Sequence, residues 1–249
     1  MHKKVLLACP TADVKAYCLE PYIQALKKLT YPNVDILLAD NSATDSYSKK
    51  IQALNIPCIR TACLPSIPER VINSRNILRQ RALEEDYDYF FSLEQDVIPP
   101  ANIIELLLEP EEDIVSGVTP HLLLKNGKAS EIALLGLDDK NNPGKYLFFD
   151  YKDALRYKSG IVPVDYAAMG CLLISRKVLE KITFRWEPRP DTQGETDVHW
   201  DDICFCNDIK KLGFHIHANV AAKCDHLYHG GYSATLGNTQ HITKTKRSL

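Results

Sequence analysis

No apolar run in this 249-residue chain approaches the roughly 18 residues that a membrane-spanning helix requires, so no integral membrane segment is expected. A basic excess is also lacking. With 30 lysines and arginines against 32 aspartates and glutamates, the formal net charge is −2, which argues against a nucleic-acid partner. The basic group Lys244, Lys246 and Arg247 is short and reads as a solvated tail rather than a membrane anchor. At the start, Val5 to Ala8 is too short for the apolar core of a secretory leader. A soluble, cytoplasmic protein is therefore expected.

The eight cysteines, at positions 9, 18, 58, 63, 171, 204, 206 and 224, lack framework spacing and read as buried, reduced thiols. A zinc site from Cys204, Cys206, Cys224 and His226 is a weak rival. It has no ligand pair separated by about two to four residues. Cys204 and Cys206 would also lie about 200° apart on a helix. No internal repeat or low-complexity segment is present.

Alternation of strands and helices fills the first half. "KKVLLACPTADVK" is a strand and polar turn, and Leu19, Tyr22, Ile23, Leu26 and Leu29 follow at helical spacing. A second strand, Val34 to Ala39, runs into Asp40, Asn41 and Ser42; the crossover predicts that the first two strands are parallel. Arg70 to Glu85 reads as a helix, with Ile72, Asn76, Ile77 and Leu83 near one face, leading into "YDYFFSLEQDVIPP". From Pro120 to Val164, short apolar runs separated by "KNGK" and "DDKNNPGK" predict a hairpin-rich insertion. A strand at Cys171 to Ile174 and an amphipathic helix come next. "RWEPRPDTQGETDVHW" then reads as an irregular loop of the kind that closes over ligands. "DDICFCNDIKKLG" is a helix opened by acids and closed by Gly213. In "FHIHANV", Phe214, Ile216, Ala218 and Val220 face the core, and His215 and His217 read as surface histidines.

In a wound α/β sheet, ligands bind beyond the carboxyl ends of the strands. Here those ends carry Pro10-Thr11, Asp40-Asn41 and Glu94-Gln95-Asp96. Two carboxylates so close repel each other unless a cation or hydrogen-bond donors compensate. Glu94 and Asp96 are thus a candidate oxygen site for Mg²⁺ or Mn²⁺.

In order and spacing, the first βα units, "SRNILRQRALEEDYDYFFSLEQDV", "AAMGCLLISRKVLEKI", "WDDICFCNDIKKLGF" and "CDHLYH" resemble a GT-A glycosyltransferase of family 2 type, over roughly residues 4 to 230. The resemblance implies a Rossmann-like, mostly parallel sheet flanked by helices. Within a single domain of 1–249, it implies a nucleotide-sugar half at 1–118, an acceptor and catalytic half at 119–232, and a tail at 233–249. It implies a nucleotide-diphosphate sugar donor, a glycan or other hydroxyl acceptor, and a Mn²⁺ or Mg²⁺ cofactor. By position in the family pattern, Asp40 would bind the base, with Thr11 at the neighbouring strand end and Arg75 and Asn76 near the nucleotide. Glu94 would reach the ribose or metal-bound water, and Asp96 the metal. His226, with His229 as the second choice, would be a further metal contact. Asp202 would be the general base of an inverting transfer, and Asp201 its orienting neighbour. Trp186 and Trp200 are candidates for lining an acceptor pocket.

Three other activities fit parts of the pattern. A nucleotidyltransferase would require a glycine-rich phosphate loop where "CPTADVK" has no glycine. A noncatalytic sugar-nucleotide or carbohydrate-binding module would need no base at Asp202. A metal phosphoesterase would require two metals and a denser early His and Asp cluster.

Overall fold

The computed structural model describes residues 2–125, 128–142, 144–156, 159–188, 198–228 and 232–233. Its centre is an eight-stranded sheet that draws on the whole of this range. β1 (Val5–Thr11), β2 (Val34–Asp40), β3 (Cys58–Arg60) and β4 (Tyr89–Leu93) come from the first half. β6 (Ile114–Val118), β10 (Ile161–Val164), β12 (Cys171–Ser175) and β15 (Ile216–Lys223) complete it. The strand order is β10-β15-β6-β12-β4-β1-β2-β3. The expected parallel pairing holds, with Val5 opposite Val34 and Thr11 opposite Asp40. β12 is antiparallel to both β4 and β6, and β10 is antiparallel to β15, so the other six strands share one direction.

Alternation along β1 sends Leu6 and Ala8 into one apolar layer and Val5, Leu7 and Cys9 into the other. α1 (Leu19–Leu26) and α2 (Ser46–Ala53) contribute to the second layer, and α4 (Ile103–Leu108) joins them there. α3 (Ile67–Glu84), α6 (Arg176–Leu179) and α7 (Asp201–Lys211) cover the first.

The helix before β4 begins one turn earlier than its apolar spacing predicts. Ser66 makes a capping box: the Glu69 N–H donates to Ser66 Oγ at 3.4 Å, and the Ser66 N–H donates to the Glu69 carboxylate at 3.1 Å. Pro68 in the first turn has no N–H to leave unpaired. The buried face also differs from the expected one: Ser74, Arg75, Leu78 and Ala82 point inward, while Ile77 is 38% exposed. A polar network, described below, turns this helix away from its apolar periodicity.

The insertion forms an antiparallel sheet as expected. β7 (Pro120–Lys125) and β8 (Lys128–Asp138) pair from Pro120 opposite Ala133 to Lys125 opposite Lys128. β9 (Tyr146–Asp150) and β11 (Tyr166–Ala167) add to β8, and α5 (Tyr151–Arg156) leads toward β10. The short pair β13 (Glu187–Pro188) and β14 (Val198–His199) flanks residues 189–197, so most of the expected closing loop lies outside the described residues.

α7 ends as the sequence predicts, with Gly213 at φ +78° and the Phe214 N–H donating to the Ile209 carbonyl at 2.9 Å. His215 is exposed, but His217 is half-buried with Nδ1 3.6 Å from Glu112, on the face of β15 where Asn219 donates to the Leu106 carbonyl of α4. No disulfide joins the eight cysteines; seven are buried and Cys63 is exposed. Cys206 and Cys224 belong to opposite apolar layers, and no zinc cluster forms among the described residues.

Gly117, in β6, lies against Cys171 of β12 and Ala222 of β15. An added Cβ would meet Cys171 Sγ at 2.6 Å and the Ala222 carbonyl oxygen at 2.9 Å. Gly117→Ala is expected to destabilise the fold by about 1–3 kcal/mol through overpacking, read as a lower urea midpoint. An unchanged midpoint would mean that the strands part without cost.

Candidate functional site

The site begins with the turn that follows β4. After the apolar run Tyr89–Leu93, the chain reverses over Glu94–Val97, and the Val97 N–H donates to the Glu94 carbonyl at 2.9 Å. β5 (Val97–Ile98) then pairs with β16 (Asp225–Tyr228), placing His226 opposite Val97. The Leu227 N–H donates to the Asp96 carbonyl at 2.7 Å. Backbone pairing thus brings Asp96 and His226 together from distant parts of the sequence.

Their side chains face each other, with His226 Nε2 3.5 Å from Asp96 Oδ2. His226 Nδ1 is 2.9 Å from the Pro120 carbonyl, which only an N–H can satisfy. In the neutral ring, Nε2 therefore carries the lone pair and faces the carboxylate. Lys15 Nζ donates to the same Oδ2, and the Tyr17 hydroxyl lies 3.5 Å from it. Asp96 Oδ1 is buried and has no hydrogen-bond partner among the described residues. Burial raises the Asp96 pKa, but the Lys15 ammonium, together with the His226 ring when that ring is protonated, outweighs it and holds the carboxyl at about 2.

Arg75 supports the other side of the site. Its guanidinium is fully buried and donates in three directions: to Asp201 Oδ2 at 2.6 Å, Ser92 Oγ at 2.6 Å and Glu94 Oε1 at 3.2 Å. Ser92 in turn donates to the Met169 carbonyl at 2.6 Å. Burial of the Glu94 carboxyl raises its pKa against the pull of Arg75. This network explains why α3 turns Arg75 inward and why Asp201 is buried at the start of α7.

Asp202, next along, behaves differently. Its Oδ2 accepts from the Tyr166 hydroxyl at 2.6 Å and its Oδ1 from the Ile203 N–H at 2.7 Å. Burial and the neighbouring Asp201 push its pKa up to about 6 despite those two donors. Two neighbouring carboxylates are thus differentiated by environment: one is held by a buried cation, and the other is left close to neutral titration.

Two cavities meet on Glu94, Trp200, Asp201 and Asp202. The smaller, of ≈ 330 Å³, extends past Pro10, Lys15, Val71 and Arg75 toward the end of β1. The larger, of ≈ 450 Å³, extends past Asp96, His121, Tyr166 and His226. Trp200, 40% exposed, stands between them. The ionisable walls carry Glu94, Asp96, Asp201 and Asp202 against Lys15 and Arg75, a formal charge of −4 + 2 = −2 with the histidines neutral. A roomier apolar cavity of ≈ 680 Å³, lined by residues such as Leu135, Phe149, Val162 and Val220, lies away from this cluster.

The remaining expected residues line neither cavity. Thr11 donates to Gln95 Oε1. Asp40 is fully buried, and its oxygens accept from the Ser42 N–H and Oγ, the Ser48 N–H and Arg60. Asn76 is tied to the backbone of Phe184, donating at 2.8 Å and accepting at 3.0 Å. His229 lies outside the described residues, and Trp186 lines neither cavity. Sequence reasoning missed Lys15, His121 and Tyr166. Lys15 alone left a signal, as the one basic residue in the turn after β1.

No protein-family model matches the chain, and no curated protein matches it. Solved structures do. The mannosyltransferase PcManGT from Pyrobaculum calidifontis, solved in complex with GDP-Man and Mn²⁺, aligns with TM-score 0.54 and 13% identity over 93% of this chain. This chain spans 59% of that protein's length. A197 from STIV aligns with TM-score 0.47 and 15% identity over 99% of this chain and 100% of its own. TarS from S. aureus aligns with TM-score 0.36 and 14% identity over 46% and 21%. What the mannosyltransferase shares with this chain is the fold: a mixed α/β architecture with a mostly parallel central sheet flanked by helices.

Removing the buried cation leaves two acids without their partner. Arg75→Met is expected to cost about 3–5 kcal/mol of stability, and Arg75→Met with Asp201→Asn should recover part of it. Equal denaturation midpoints for the wild type and the single variant would rule out the network as a support of the fold.

Proposed function

We propose that this protein is a glycosyltransferase that moves a sugar from a nucleotide-diphosphate donor to an acceptor hydroxyl, with Mn²⁺ or Mg²⁺ held at Asp96 and His226. The observation that carries this reading is the pair of cavities joined at Asp202, one on each side of a carboxylate suited to proton transfer. A binding module needs one cavity and no such group.

The side chains fit a divalent cation. Asp96 Oδ1 is a buried acceptor without a donor among the described residues, and the His226 Nε2 lone pair faces the same carboxylate. No group of three or more His, Cys, Asp or Glu side chains gathers around one point among the described residues. Such a pair suits an ion whose coordination is completed by substrate phosphates and water. The formal charge of −2 on the cavity walls also disfavours a bare diphosphate. When bound, the ion supplies Lewis-acid neutralisation of charge on the leaving diphosphate.

The protein's own residues divide the rest of the work. Arg75 fixes Asp201 and Glu94, so the cavity floor does not rearrange as substrates enter. The Asp202 carboxylate takes the proton of the acceptor hydroxyl as that oxygen attacks the anomeric carbon, which is an inverting displacement. Tyr166 orients the base by donating to Oδ2. A base with a pKa near 6 is ionised at neutral pH and still basic enough to accept a proton. Thr11 braces Gln95 in the wall of the smaller cavity, and Trp200 offers an aromatic face to a sugar ring.

A thermal-shift panel of nucleoside diphosphates and nucleotide sugars, with and without Mn²⁺, tests the reading directly. A metal-dependent rise in melting temperature is expected for at least one donor, and Asp96→Ala should abolish it without unfolding the chain. Absence of any rise across the panel would remove the donor assignment.

The base carries a pH signature. Transfer should increase as pH rises through about 6, where Asp202 loses its proton. Asp202→Asn should cut transfer by about 10² to 10⁴ and flatten that limb while donor binding persists. The elevated pKa has a stability sign as well. The contribution of this carboxyl to stability is fully present below its ordinary value of 3.8 and is lost as pH rises through about 6. The asparagine variant should therefore lose less stability than the wild type across that interval. A fully active Asp202→Asn enzyme would sink the assignment of the base.

A further inference from the structure

Lys15 lines the smaller of the two cavities. It sits on the 3₁₀ turn Asp13–Cys18 that follows β1, and the Gln95 side-chain amide donates to the Lys15 carbonyl at 2.6 Å, fixing the backbone of this turn against the 94–97 turn. The backbone is pinned, but the side chain is a flexible four-carbon stem and remains 36% exposed. Its stem lines the smaller cavity beside Pro10 and Arg75, and its head reaches across to Asp96, which lines the larger one.

The oxygen that Lys15 holds, Asp96 Oδ2, is the one 3.5 Å from His226 Nε2. A divalent cation on either Asp96 oxygen would lie within a few ångströms of the ammonium, and at that distance the two like charges repel strongly. Arg75 is already committed to Asp201, Ser92 and Glu94. Lys15 is therefore the cation lining the smaller cavity whose side chain has both the exposure and the freedom to move toward an incoming anion.

We propose that Lys15 is a resident counter-cation for Asp96, displaced by the divalent metal, and that the displaced ammonium then grips the donor's diphosphate in the smaller cavity. This rests on the reading of Asp96 and His226 as metal ligands. Metal alone binds against the cost of breaking the ion pair. A diphosphate gives the freed ammonium a new partner, so the two ligands favour one another through one side chain. Asp96 is also shielded from uncompensated burial before the metal arrives.

The test uses the full chain, Mn²⁺ alone and inorganic pyrophosphate as a diphosphate without a base. Free Mn²⁺ is counted by electron paramagnetic resonance, and pyrophosphate binding is measured by calorimetry at saturating Mn²⁺. Lys15→Met keeps the stem and removes the charge. It is expected to bind Mn²⁺ roughly tenfold more tightly than the wild type and to bind pyrophosphate roughly tenfold more weakly. Lys15→Arg should stay near the wild type in both measurements. These opposite shifts in one variant are not produced by general loosening of the turn, which would weaken both. If the wild type binds Mn²⁺ and Lys15→Met binds it no more tightly, or keeps full pyrophosphate affinity, Lys15 does not have this role and the metal assignment survives. If neither protein binds Mn²⁺, both ideas fall.

Discussion

The arrangement of the site depends on one buried guanidinium. Arg75 has no exposed surface, and its donors reach the start of α7, the middle of β4 and the turn that follows β4. A charge taken wholly out of water demands partners, and each partner gives up freedom to supply them. The inward side of α3, the burial of Asp201 and the half-buried setting of Glu94 all follow from that demand. The apolar layers hold the sheet together, but Arg75 fixes where its carboxyl edge places the acids.

A second constraint acts across the larger cavity. β5 is only two residues long, yet its pairing with β16 puts Asp96 beside His226. A short strand contributes little stability. Its value here is registration, since a one-residue slip would turn His226 to the opposite face. The Nδ1 contact to the Pro120 carbonyl fixes the ring further and ties this corner to the insertion. The insertion thus serves the site as a wall, with Tyr166 and His121 reaching in from it.

The wound sheet was legible because its evidence is local: apolar runs, turn residues and the crossover between β1 and β2. So was the position of Glu94 and Asp96 after β4, and of Asp201 and Asp202 at a helix start. The direction in which α3 faces was not legible, because its apolar residues suggest one face and the partners of Arg75 select another. Those partners, Ser92, Glu94 and Asp201, lie on other elements, and periodicity within a helix carries no record of them. Lys15 and Tyr166 were missed for the same reason. Their importance comes from contacts with Asp96 and Asp202, made only when distant segments are folded together.

The strand order has a consequence for the chain as it is synthesised. β12 lies between β4 and β6, and β15 lies on the far side of β6, although both are made much later. A ribosome-bound chain that has emerged only as far as β6 can pair β1, β2, β3 and β4. One side of β4 then stays bare, and both neighbours of β6 are missing. These strands, Tyr89–Leu93 and Ile114–Val118, are among the most apolar in the protein. Unpaired apolar strands of this kind are templates for intermolecular association. The nascent protein is therefore most vulnerable between synthesis of Val118 and arrival of Cys171–Ser175, the interval in which chaperone protection would matter most.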